Sequence, residues 1–150
     1  MKVKVDIRQE CDEEIIIVAS NLSQEIEELV FKIENLLHND TKIKVFNRES
    51  ELYLSVDKIL FIETENEKVY AHTKDKAYLI KMRLYELEAA LPNNFLRISK
   101  SAIVNTSLIH TIDRKFSSTS RLVFDDSHKE VYVSRRYYKD LKTMIAERSI

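Results

Sequence analysis

Within five positions, Arg97, Ser99, Lys100 and Ser101 set two cations among two hydroxyls, in the segment FLRISKSAIVN from Phe95 to Asn105. A second such group, Ser134-Arg135-Arg136, runs on into Tyr137-Tyr138-Lys139. Arginine grips a guanine edge or a phosphate with parallel hydrogen bonds, while lysine and serine bond phosphate oxygens at short range. The second group also stands where a helix is expected to begin, so free backbone amides would add to its pull on an anion. Solvated loops and a helix cap use the same residue types. On composition alone the two readings weigh equally.

Catalytic chemistry has less to stand on. His38, His72, His110 and His128 are scattered, and none has a carboxylate and a nucleophile at a family-like spacing. Asp125-Asp126 is explained by a hairpin turn without any cation. Cys11 stands beside acidic residues, which hold a thiol protonated. As the single cysteine, it leaves no internal disulfide and no multi-cysteine metal site. With no glycine anywhere in 150 residues, glycine-rich phosphate loops are excluded, and turns fall to Asn, Asp and Ser. No enzyme activity, cofactor, metal or small-molecule substrate is expected.

The charge is uneven along the chain. Residues 1–45 hold 6 Lys and Arg against 10 Asp and Glu, whereas residues 96–150 hold 11 against 6. An acidic first part joined to a basic last part suits a nucleic-acid binder carrying a non-binding appendage. The 44% hydrophobic content supports a core, and no apolar run approaches the ~18 residues of a membrane span. The opening MKVKVDIRQE lacks the apolar core of a signal peptide, so a cytoplasmic location is expected.

The elements that must position these residues follow from periodicity. Lys2–Arg8 alternates as a strand, Asp12-Glu13-Glu14 reads as a turn, and Ile15–Val18 as a second strand. Ile26, Leu29, Val30, Ile33, Leu36 and Leu37 share one helical face; Asn21 with Gln24 would cap it, and His38-Asn39-Asp40 would stop it. From Thr41 onward short antiparallel strands dominate, with Asn47–Glu51 as a hairpin loop. Ile80, Leu84, Leu87 and Leu91 mark a helix closed by Pro92. Leu122–Phe124 and Val131–Val133 form a hairpin, and a last helix begins near Arg136.

From about Lys42 to Ile145 the chain resembles the LytTR-type DNA-binding domains of bacterial transcription factors. The resemblance is carried by VDKILFIE at Val56–Glu63, LYELE at Leu84–Glu88, the Phe95–Asn105 segment and VSRRY at Val133–Tyr137. It implies an α+β fold, mainly β: an elongated set of small antiparallel sheets with short helices, presenting loops to successive major grooves. The family's base-contacting positions fall on Lys100 and Arg136, and a third falls near Glu67 and Lys68. Ser99 stands where the family often has histidine. The resemblance is to small stand-alone members without a receiver domain, and implies control by a membrane protein encoded alongside.

The expected organisation is thus a small strand-strand-helix subdomain over residues 1–40, for dimerisation or regulation, and a DNA-binding domain over 41–150. The expected partner is double-stranded DNA, bound by a homodimer. Lys68, Arg97, Ser99, Lys100, Ser134, Arg135 and Arg136 are the expected contacts. The rival reading is a protein-interaction module that uses the acidic helix and binds no DNA.

Overall fold

The computed structural model describes residues 1–9, 14–37, 41–114 and 119–149. The chain divides into two compact units, Met1–Leu37 and His38–Ile150. Cys11-Asp12-Glu13, His38-Asn39-Asp40, Lys115 and Phe116 lie outside the described residues.

The first unit contains helix α1, Gln24–Leu37. Its start differs from the expected one: the Ser23 hydroxyl accepts from the Ile26 amide at 3.3 Å, so Ser23 and not Asn21 caps it. Glu25 and Glu27 in the first turn suit the positive end of the helix dipole. The two expected strands do not form. Residues 1–8 and 14–19 carry no ladder, and Val3, Val5, Ile7, Ile15, Ile16 and Val18 are exposed. An isolated pair of short strands is marginal in water, and alternation alone cannot supply a partner.

The second unit is built on antiparallel strands. β1 (Lys42–Asn47), β2 (Ser50–Ser55), β3 (Phe61–Glu65), β4 (Lys68–His72), β5 (Ala77–Ile80), β6 (Phe95–Ser99) and β7 (Ala102–Asn105) make one sheet, in the order β2-β1-β5-β4-β3-β7-β6. β8 (Ile109–Arg114), β9 (Ser120–Phe124) and β10 (Glu130–Val133) make a second, in the order β10-β9-β8. Helices α2 (Leu84–Ala90) and α3 (Arg135–Glu147) complete it. The fold is α+β and mainly β, although one sheet is larger than expected.

Two buried clusters sandwich the large sheet. Period-2 alternation sends Phe61, Ile98, Ala102 and Val104 to one side, with Leu122, Phe124, Val133 and Leu141. Ile62, Ala71, Ile80 and Ile103 go to the other side, with Leu84 and Leu87 of α2. A central strand covered on both faces reads as a continuous apolar run, which explains Ala102-Ile103-Val104. Two boundaries differ from periodicity. Ile80 ends β5 rather than starting a helix, and the β1–β2 turn is only Arg48-Glu49, with Arg48 left-handed at φ 55°. Leu91 is extended ahead of Pro92, as a pre-proline residue must be, and α2 stops there.

Candidate nucleic-acid interface

The β6–β7 connection is held from inside. Pairing slips between Arg97 and Ser99, leaving a bulge, and the chain reverses through Lys100-Ser101. The Arg97 guanidinium spans this reversal: Nε donates to the Ser99 carbonyl at 2.6 Å and Nη2 to the Lys100 carbonyl at 2.5 Å. Its Nη1 reaches Glu88 on α2 at 3.1 Å. The Arg97 side chain is only 18% exposed. Two of its donors are thus committed to the turn and a third to Glu88. The Ser99 hydroxyl similarly accepts from the Ser101 amide at 3.2 Å, an ordinary turn bond. Lys100 stays exposed on this braced turn.

The second basic group is brought to the same place. The Ser134 amide donates to the Ile98 carbonyl at 2.9 Å, tying the start of α3 to the residue between Arg97 and Ser99. Arg135 and Arg136 follow, both exposed. The Arg136 guanidinium carbon lies 5.8 Å from the centre of the half-buried Tyr137 ring, a cation–π contact that limits its range. Ser134 occupies the N-cap without a side-chain capping bond. The Tyr137 amide donates to the Ser134 carbonyl at 3.0 Å, and the positive end of the thirteen-residue helix lies at this turn. Leu141, fully buried, anchors the helix in the core.

Lys68 is brought close to Lys100. A depression of about 800 Å³ is lined in part by Lys68, Lys81, Arg83, Arg97 and Lys100, together with Glu67. Lys81 and Arg83 were not foreseen. Basic residues two apart in extended chain share a side, and that was the available signal. Asn66 and Glu67 at the β3–β4 tip both take left-handed backbone, φ 51° and 66°, as the twist of a two-residue hairpin demands. Glycine would serve there, but the chain has none. Glu67→Gly is expected to tighten DNA binding about two- to threefold at low salt by removing a carboxylate from a basic face. Stability should hold or rise by up to about 1 kcal/mol as the strained backbone is relieved. Salt-series binding and thermal melts would check both, and weakened binding would mean that Glu67 itself contacts a base.

His72 stacks on Phe61 at 4.4 Å, and burial, assisted by the nearby Lys129 ammonium, lowers its pKa to about 4. It is a neutral packing residue at ordinary pH. His110 meets Asp125 at 3.5 Å, both well exposed, on the wall of a separate cavity of about 730 Å³ that His72 does not line. Among the described residues no set of three or more His, Cys, Asp or Glu could hold a metal. No helix there is long and apolar enough to cross a membrane.

Comparison with known proteins places this β-rich module among DNA-binding domains. The family model for the LytTr DNA-binding domain matches residues 49–146. The chain belongs to the LytTR family. Proteins of Staphylococcus aureus strains MSSA476 and MW2, each named an uncharacterized HTH-type transcriptional regulator, are 30% identical to it over 147 residues, covering 97% of this chain and 99% of theirs. The solved LytTr DNA-binding domain of a Bacillus cereus response regulator shares the fold at TM-score 0.65 and 24% identity, over 70% of this chain and 96% of that one. In this chain α2 and α3 are separated by five strands and do not form a helix-turn-helix pair.

Proposed function

We propose that the chain is a sequence-specific transcriptional regulator that grips double-stranded DNA as a homodimer in the cytoplasm, inserting loops into the major groove. Lys100 and Arg136 read base edges. Lys68, Ser99, Ser134 and Arg135, joined by Lys81 and Arg83, hold phosphates, while Arg97 shapes the turn that carries Lys100. The observation that carries this reading is the 2.9 Å bond from the Ser134 amide to the Ile98 carbonyl, which makes two separate basic segments neighbours. Phosphate contacts set register and affinity, and the two base readers set sequence preference.

The assignment is tested at Arg136. Arg136→Ala should weaken binding to a site selected from random DNA by about 1–3 kcal/mol and relax preference at one base pair. Lys68→Ala should weaken all sequences alike and lower the salt slope by about one. Unchanged affinity and preference in Arg136→Ala would refute its role as a base reader.

Residues 1–40 are read as the dimerisation or signal-receiving part, with a membrane protein encoded alongside as the regulator. The apolar side chains exposed in this unit favour an interaction role. A chain starting at Thr41 should bind a half-site yet lose dimerisation or regulation. Retention of both would sink this assignment.

A further inference from the structure

Lys2–Arg8 has the alternation of a half-buried strand, yet Val3, Val5 and Ile7 are 92%, 77% and 90% exposed and no strand forms there. A strand-patterned segment with its apolar face in water is suited to pairing with another chain. We propose that residues 2–8 pair antiparallel with the same residues of a second copy, about a two-fold axis at Val5. This rests on the homodimer reading and gives it a location.

The segment is self-complementary in that register. Val3 opposes Ile7 and Val5 opposes Val5, so all six apolar side chains of the two copies share one face. On the other face each Lys4 opposes an Asp6, a favourable cross-strand pair made twice. Lys2 meets Arg8 only at the ribbon ends, in water, where the Arg8 guanidinium is already 2.7 Å from its own Asp6. Centring the pair on Lys4 would set two ammonium groups face to face, and centring it on Asp6 would do so with two carboxylates. A one-residue slip would send the two apolar sets to opposite faces. A parallel pair in register would oppose every charge with its own copy.

Two strands alone are not stable, so the apolar face needs a cover. The same unit offers one: Phe31 and Leu36 of α1 are 65% and 73% exposed, and Ile15 and Ile16 are 58% and 69% exposed.

The test uses the full chain carrying Cys11→Ser. V5C should cross-link to itself on oxidation, since each copy of the position faces the other. V3C should not, whereas mixed V3C and I7C chains should join. Independently, Lys4→Asp or Asp6→Lys should each raise the dimer dissociation constant about tenfold, and the double exchange should restore it, as read by sedimentation. Equal cross-linking of V3C and V5C, preferential cross-linking of Lys4→Cys, or a charge exchange without rescue would overturn the pairing. A dimer indifferent to all these changes would refute the strand contact and leave the homodimer reading standing. A full chain that sediments as a monomer, on DNA and off it, would refute both.

Discussion

Arg97→Lys should bind specific DNA at least about tenfold more weakly than the parent while keeping its salt dependence. Lysine keeps the positive charge but cannot span two carbonyls, so the Ser99 and Lys100 carbonyls lose a shared donor. Freeing even one backbone residue of the turn costs about 1–2 kcal/mol when DNA must order it again. A residue that merely held a phosphate would behave in the opposite way. Its lysine variant would retain most affinity, and its alanine variant would flatten the salt slope by about 0.9. Arg97→Ala should also lower stability by roughly 2 kcal/mol, since hydrogen bonds from a charged group are lost. The contact to the half-exposed Glu88 adds little to that figure. A salt titration of both variants on a selected site decides the matter. Full affinity in Arg97→Lys would return the residue to the phosphate contacts.

Asn105→Ala is expected to be the most damaging single polar substitution in the domain, by about 2–4 kcal/mol. Asn105 is 1% exposed, and its side chain satisfies three neighbours. Its amide donates to the Ile59 carbonyl at 3.0 Å, and its carbonyl accepts from the Ser107 amide at 3.1 Å and the Asn94 amide group at 2.8 Å. Truncation leaves the Ile59 carbonyl buried and unpaired. The same three bonds hold the far end of β7 and the entry to β8, which joins the two sheets. Asn105→Asp sharpens the test by adding a pH dependence. Its carboxylate would face the Ile59 carbonyl in an apolar site, so the folded state should favour the protonated acid and raise its pKa above the unfolded value of about 3.9. The folded state then binds more protons, and the variant loses stability as pH rises from that value through the raised one. Melting curves from pH 4 to 8 would show this. A variant as stable at pH 8 as at pH 4 would contradict the carbonyl contact.

Much of the DNA-binding unit was legible from periodicity and punctuation. Alternation marked the strands, and Pro92 closed α2 because the residue before proline cannot stay helical. The basic groups around Lys100 and Arg136 stood out by composition. Lys81 and Arg83 did not, because two cations ahead of a helix look like ordinary surface until a hairpin from β3–β4 folds against them. The N-terminal strands were read correctly as a pattern and wrongly as a structure. A strand is defined by its partner, and none is present among the unit's described residues.

By itself, the sequence carried the motifs of the family, the buried faces of its elements and the places where its basic groups concentrate. The last two follow from local properties: side-chain period, backbone preference and charge. Only the tertiary structure decided that Ser134 would dock on Ile98 and make those basic groups neighbours. It also decided that Arg97, alike in composition to Lys100, would turn inward. Both outcomes depend on which carbonyls a guanidinium or an amide meets after residues far apart in sequence pack together, and no local pattern encodes that.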